Sequence, residues 1–177
     1  MKRIMKTQSF PIKRKPDIEL EIKSNESVSD RQKLLDLKSD LRLGGGVSAV
    51  YVYSLVNESI NYPDRLGEIV YIGEARREKR TADRFGQHIS TDHNRGGDTG
   101  TNFTLSRYYW LGKKLKLRVY ILDNTKIAHS RQSVETALLR WHIKEFGALP
   151  IAQGASGESY KVTMINALDI ADIMKDV

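Results

Sequence analysis

Two short segments, AVYVY at residues 49–53 and IVYIG at residues 69–73, decide the fold of this chain because both alternate like strands. Side chains alternate between the two faces of a strand, so Tyr51, Tyr53 and Tyr71 are expected on one face. The opposite face is expected to be aliphatic and to carry Val50, Val52, Val70 and Ile72. Tyrosine hydroxyls on neighbouring strands indicate a functional site, since a face that only needed solubility would carry generic polar residues.

The composition limits the classes of function. The chain has 177 residues, a formal net charge of +7 and a pI near 9.5, which favour one domain and an anionic partner, nucleic acid first. It has no cysteine, which excludes disulfides, zinc–thiolate sites and thiol nucleophiles. No apolar run approaches the roughly 18 residues of a membrane span, and no signal peptide is evident, so a cytoplasmic protein without a membrane partner is expected.

The N-terminal part is predicted to be an extension of the domain. Residues 1–16 form a basic arm, which either contacts phosphates or is simply a solvated terminus. Residues 17–23 alternate as one strand, and a capping box at residues 29–32 predicts a helix over residues 30–43. Three glycines at 44–46 are expected to cap that helix and act as a hinge. We therefore divide the chain into an extension (1–46), a core (47–157) and a C-terminal extension (158–177) that packs on the core.

The core is predicted to be α+β, with a small antiparallel three-stranded sheet flanked by helices. Strands are expected at residues 47–56, 67–73 and 116–122, the first two forming a hairpin with a long connection. Arg118 and Tyr120 of the third strand could join the tyrosine face. A long helix is predicted from residue 130 to residue 146, closed by Gly147.

A polar helix is predicted at residues 76–90. Arg80, Arg84 and His88 recur every fourth residue and would share one face. That face either meets phosphates or is solvated. The glycine-containing segment 91–104 is expected to be a surface loop, and its Asp92-His93-Asn94 run is a poor metal site because successive residues do not converge.

Two later segments have a structural and a functional interpretation. The helix predicted at residues 105–114 carries Tyr108, Tyr109 and Trp110, which we expect in the core rather than stacked on bases. Glu135 stands early in the long helix among apolar residues, where a carboxylate is costly unless it is paired or bound to a metal. It is the best candidate metal ligand, and an ordinary first-turn glutamate is the alternative.

A small amphipathic helix is expected at residues 162–174.

In this order the motifs resemble the GIY-YIG nuclease superfamily. The first signature tripeptide of the family is present as Ala49-Val50-Tyr51, with alanine in place of its glycine. The second is intact as Tyr71-Ile72-Gly73, and the Arg–His helix follows with Arg84 and His88. Glu135 matches the metal-binding glutamate of the family, and Gln153 stands where the family has asparagine. The resemblance spans about residues 47–154, and the order of the motifs is far more specific than any one of them.

The resemblance implies a Mg²⁺-dependent endonuclease, with Mn²⁺ able to substitute, that hydrolyses nucleic-acid phosphodiesters. The implied catalytic residues are Tyr51, Tyr71, Arg84, His88, Glu135 and Gln153. Glu135 would bind the metal, and Arg84 would contact the phosphate. Tyr51 would position or deprotonate water, with its pKa lowered by metal or cationic neighbours. Tyr71 and His88 would orient the water and the phosphate, and His88 could take up the proton from Tyr51.

The implied substrate is double-stranded DNA, cut by a restriction-type or phage-encoded enzyme that is expected to dimerise. Basic residues in the added segments and on the polar helix are expected to contact the nucleic acid: Lys13, Arg14, Lys15, Arg80 and Arg95. The main alternative is a catalytically impaired module that keeps this scaffold and only binds nucleic acid, with Gln153 as its first sign. A regulator that binds an acidic protein is the third class.

Overall fold

The computed structural model describes residues 15–23, 29–89, 100–122, 131–154 and 174. In chain order its strands are β1 (Ile18–Ile22), β2 (Ala49–Leu55), β3 (Ile60–Asn61), β4 (Leu66–Gly67), β5 (Ile69–Ala75) and β6 (Leu115–Ile121). Its α-helices are α1 (Ser29–Asp36), α2 (Gly100–Trp110) and α3 (Arg131–Phe146), with 3₁₀ helices at Leu37–Ser39, Leu41–Leu43 and Thr81–Gln87. The α+β class predicted from the sequence is confirmed.

The main sheet has four antiparallel strands in the order β1-β6-β2-β5. The predicted hairpin is the β2–β5 pair, and its long connection contains the separate two-stranded pair of β3 and β4. The prediction of three strands was wrong, because the strand predicted at residues 17–23 hydrogen-bonds to β6 and forms the edge of the sheet.

Complementary charge joins β1 to β6. Glu19 lies opposite Arg118, and Glu21 lies opposite Lys116. The Arg118 Nε atom is 2.9 Å from a Glu19 carboxylate oxygen, and the Lys116 Nζ atom is 3.4 Å from a Glu21 oxygen. Opposite charges directly across a strand pair each stabilise it modestly, while the buried Ile18 and Ile22 attach the strand to the core.

The two faces of the sheet bury different residues. Helix α3 covers the face that carries Val50, Val52 and Ile72. The tyrosines lie in the other cluster, packed with leucines of α1, Phe85 of the 3₁₀ helix and Tyr109 of α2. Val70 also belongs to this second cluster, because the β2–β5 register shifts next to it and reverses the predicted alternation.

Strand β6 contributes its apolar residues to the tyrosine side. Leu117 lies opposite Tyr53 and Val119 opposite Tyr51, whereas Arg118 lies opposite Val52 and Tyr120 opposite Val50. The suggestion that Arg118 and Tyr120 join the tyrosine face was therefore wrong. Tyr120 is buried in the cluster beneath α3.

Several helix boundaries differ from the predictions. The helix predicted over residues 30–43 ends as an α-helix at Asp36, and Asp40 then takes an extended conformation (φ −74°, ψ 113°). The Asp40 carboxylate accepts a hydrogen bond from the Arg42 amide at 2.9 Å, so the side chain starts a new short turn there. Helix α2 begins at Gly100, inside the predicted loop, whereas α3 ends as predicted at Phe146, before Gly147 at φ 76°.

The helix predicted at residues 76–90 is mostly absent. Residues 76–80 are not helical, and only Thr81–Gln87 forms a 3₁₀ helix. Arg80 adopts an extended conformation (φ −161°) before that helix, so it does not share a helical face with Arg84 and His88.

Two further predictions fall largely outside the described residues. The C-terminal helix is represented only by Met174, which is buried against the α3 side of the sheet. The segment 91–99, with its Asp92-His93-Asn94 run, is not described. Among the described helices, none is long and apolar enough to cross a membrane.

Candidate functional site

A fully buried histidine organises the tyrosine face. His88 follows the 3₁₀ helix and has no exposed surface. Its Nε2 atom lies 3.1 Å from the Tyr51 hydroxyl, and its Nδ1 atom lies 2.8 Å from the Tyr53 hydroxyl. Burial, with the charge of nearby Arg84, lowers the pKa of His88 to about 3. The imidazole is therefore neutral at physiological pH.

Tyr53 was expected on the tyrosine face but was not among the residues implied to form the site. Among the described residues, His88 Nδ1 is the only hydrogen-bond partner of the Tyr53 hydroxyl. If this buried hydroxyl only accepted a bond, its own proton would be unpaired at a substantial free-energy cost. We infer that Tyr53 donates to Nδ1 and that His88 carries its proton on Nε2, from which it donates to Tyr51.

Arg84 connects the buried tyrosines to the protein surface. Its half-buried guanidinium lies within interaction distance of the hydroxyls of Tyr51 and Tyr71, and the rings of these two tyrosines contact each other. The exposed fraction is 0% for Tyr51 and 7% for Tyr71. Of the two phenols, only Tyr71 presents surface to a substrate.

The pKa of Tyr51 departs from the expectation. Burial and the neighbouring Tyr71 raise it well above the usual value of 10, although Arg84 acts in the opposite direction. Arg84 thus acts on the pKa of Tyr51 in the expected direction, but the net pKa in the metal-free protein is raised. Desolvation of the phenolate outweighs the attraction of one guanidinium.

Gly73, the glycine of the second signature, makes room for the two tyrosines. A Cβ atom at this position would lie 2.6 Å from Tyr51 Cζ and 2.7 Å from Tyr71 Cε1. Those distances are below any normal contact between carbon atoms. The motif therefore requires glycine for packing of the rings.

Glu135 approaches the same group of residues from α3. Burial first, and then the charge of Glu74, raise its pKa to about 7, against opposing effects of Arg84 and Arg131. Its charge also raises the pKa of Tyr71. The structure thus places Glu135 close enough to Arg84 and Tyr71 to interact with both electrostatically.

Glu74 is a second acidic residue that the sequence analysis missed. It follows Gly73 directly on β5, and its carboxylate pairs with the Arg131 guanidinium at the start of α3. Its position next to the signature in the sequence was the available signal. The pair places a fixed positive and a fixed negative charge beside Glu135.

The residues present fit a hard divalent cation. An ionised carboxylate at Glu135 is destabilised by burial and by Glu74, and a bound cation would relieve both effects. Across the described ranges, no group of three or more His, Cys, Asp or Glu side chains could hold a metal ion. A cation at Glu135 would therefore take most of its ligands from water and substrate, as Mg²⁺ commonly does.

Gln153 lies in a loop that is attached to β5. Its side-chain oxygen accepts a long hydrogen bond of 3.4 Å from the Ile72 amide, and the Ala152 amide donates to the Val70 carbonyl at 3.0 Å. The Tyr62 hydroxyl accepts from the Ile151 amide at 3.1 Å and donates to the Ile69 carbonyl. Gln153 is thus held next to the second signature.

The residues predicted to bind nucleic acid are not gathered at this site. Arg80 is exposed, and its guanidinium donates to the Lys38 carbonyl. Lys15 is exposed near the start of β1. Lys13, Arg14 and Arg95 lie outside the described residues. In contrast, Tyr51, Tyr71, Arg84 and His88 converge as predicted, with Glu135 beside them.

We predict that nitrogen-15 NMR will find the His88 proton on Nε2 between pH 5 and pH 8. Replacing Tyr53 by Phe removes the donor to a buried acceptor, so it should shift the Nδ1 resonance and lower the free energy of unfolding by about 1–3 kcal/mol. A wild-type proton on Nδ1 would contradict the assigned direction of these hydrogen bonds.

We also predict that Glu135→Gln stabilises the metal-free protein at pH 8.5 but not at pH 5. The folded-state pKa of about 7 exceeds the ordinary value of 4.5. The wild type therefore loses stability as pH rises through the folded pKa, and the neutral amide avoids this loss. The test is the thermal midpoint in chelator at both pH values, with the exposed Glu68→Gln as control. Equal midpoints for Glu135→Gln and wild type at pH 8.5 would refute the prediction.

Comparisons with known proteins assign no family to this geometry. No protein-family model, curated protein or solved structure matches the chain. The relationship to GIY-YIG nucleases is thus a proposal that depends on the order of the motifs.

Proposed function

We propose that this protein is a metal-dependent endonuclease that hydrolyses phosphodiester bonds of double-stranded DNA. One observation carries the proposal: a half-buried arginine that lies against two tyrosines is near a glutamate whose ionised form is destabilised by burial and by Glu74. A phosphodiester with its bound divalent cation complements both groups. The GIY-YIG resemblance of the sequence supports the same reaction.

Arg84 would hold the scissile phosphate. Its guanidinium is half-buried and already fixed by Tyr51 and Tyr71, so little side-chain entropy remains to be lost on binding. Charge-assisted hydrogen bonds from arginine to phosphate are stronger than neutral ones, and partial burial strengthens them further. In this proposal the two tyrosines act first by orienting the arginine.

Glu135 would hold the cation beside that phosphate. A bound Mg²⁺ or Mn²⁺ would neutralise charge on the phosphate and its leaving oxygen. Glu74 adds negative charge at the same place and is itself held by Arg131. The arrangement combines a fixed cation, Arg84, with a site for a second one.

Tyr71 would contact the attacking water, because it is the less buried of the two tyrosines beside Arg84. Tyr51 stays protonated in the free protein, and His88 stays neutral with a pKa of about 3. These two residues therefore orient the Tyr71 hydroxyl and Arg84 through hydrogen bonds. This assignment departs from the roles of base and proton acceptor that the resemblance implies.

A binding module without catalytic activity is the second candidate. Two observations favour it: Tyr51 has no exposed surface, and the Gln153 amide oxygen is directed to the backbone of β5. Such a protein would bind DNA through the same arginine and cut nothing.

Restriction-type cutting of both strands by the active form would require two sites and therefore a dimer.

The test is cleavage of supercoiled plasmid DNA with Mg²⁺, with Mn²⁺ and with chelator. We expect metal-dependent nicking or linearisation, lost by about 100-fold or more in Glu135→Gln and in Arg84→Gln. Glu68→Gln is the matched control, because it makes the same change at an exposed site. Binding of DNA without cleavage under every metal condition would overturn the nuclease and support the binding module.

A further inference from the structure

The exposed segment directly after β5 carries an unusual density of positive charge. Residues 76–80 read Arg-Arg-Glu-Lys-Arg, and all five are exposed. Within the described part of the chain, none of these four cations forms an ion pair, although Arg77 contacts the Gln87 side chain at 3.3 Å. We call residues 76–80 the basic turn. It lies between β5, which supplies Tyr71 and Glu74, and the 3₁₀ helix, which supplies Arg84.

The glycine triplet holds the backbone of the basic turn from one side. The Gly46 amide donates to the Arg77 carbonyl at 2.8 Å, and Gly44 forms a β-bridge with Arg80. A Cβ atom on Gly45 would lie 2.3 Å from the Glu78 carbonyl oxygen and 2.8 Å from that of Lys79. Any side chain at position 45 would therefore push the turn away. The glycines predicted to be a hinge instead fix the turn in place.

Thr81 fixes the other end of the turn. Its hydroxyl donates to the Val47 carbonyl at 2.6 Å and accepts from the Arg77 amide at 3.3 Å. The Thr81 amide donates to the Gly44 carbonyl at 3.3 Å. The segment just before β2 and the segment just after β5 are thus joined around a turn whose side chains are exposed, with Arg77 contacting Gln87 and Arg80 donating to the Lys38 carbonyl.

Packing in the hydrophobic core does not explain why the backbone of the basic turn is held in place. The side chains of the basic turn are exposed and belong to neither hydrophobic cluster, and neighbouring like charges repel one another in the free protein. Holding such a group rigidly is useful when a polyanion binds, because the backbone is then ordered before binding. A regular array of phosphates has the required charge, and the turn is joined directly to the strand and the 3₁₀ helix that supply Tyr71 and Arg84.

We propose that the basic turn is a docking surface for the DNA phosphate backbone next to the scissile phosphate. The inference rests on the proposed function and adds Arg76, Arg77 and Lys79 to the predicted Arg80. Contacts to phosphates position the duplex without reading its sequence. Their contribution to affinity should fall with salt because bound counterions are released.

The experiment measures binding of a short DNA duplex by fluorescence anisotropy, in chelator and over a series of salt concentrations. Arg76→Gln/Lys79→Gln removes two cations from the turn. Arg140→Gln/Lys144→Gln removes two exposed cations from α3 and is the matched control. We expect the turn variant to lower the slope of log affinity against log salt by about 1.8, and the control to leave it unchanged.

Gly45→Ala tests separately whether the fixed backbone of the basic turn contributes to binding, because this substitution alters no charge. We expect it to weaken DNA binding at least threefold while a cooperative thermal transition is retained. If it fails to fold, the double variant still decides the question. A wild type that binds and cuts, with the turn variant binding like the control, overturns this inference alone. A wild type that neither binds nor cuts overturns the proposed function as well.

Discussion

The hydrogen bonds of buried His88 are the constraint on which the site depends. A fully buried imidazole needs partners for both nitrogens, and Tyr51 and Tyr53 supply them from one strand, two residues apart. These bonds attach the end of the 3₁₀ helix to β2. They also direct both tyrosines inward, and because Arg84 precedes His88 in the same segment, its guanidinium reaches Tyr51 and Tyr71.

Charge at the edge of the sheet is only partly paired. Arg131 is paired with Glu74, and Arg84 lies against neutral tyrosines. Among the residues that the structure describes, neither Arg84 nor Glu135 forms an ion pair. A phosphate would neutralise Arg84, and a divalent cation would neutralise Glu135. This complementarity favours the proposed phosphodiesterase over a structural ion-pair network.

Periodicity predicted the hairpin, α3 and the buried Tyr109. Motif order drew attention to Tyr51, Tyr71 and Arg84, which lie close together, and to Glu135, which interacts with Arg84 and Tyr71 from the helix on the other face of the sheet. The partner of β1 was not evident, although the acidic pattern at Glu19 and Glu21 complements the basic residues of β6. The helix predicted at 76–90 is mostly absent because residues 76–80 contact the distant glycine triplet. The spacing of residues along the sequence does not reveal such contacts. Tyr53 and Glu74 were missed since their partners, His88 and Arg131, are apparent only once the chain is folded.

The proposed function requires that a divalent cation binds at Glu135, beside Arg84. Paramagnetic broadening of NMR signals by Mn²⁺ detects such binding without depending on any substrate. We expect low Mn²⁺ concentrations to broaden the signals of Glu135, Glu74 and Tyr71 first, and Glu135→Gln to abolish the effect. Selective broadening elsewhere in the chain, or broadening that persists in Glu135→Gln, would contradict this expectation.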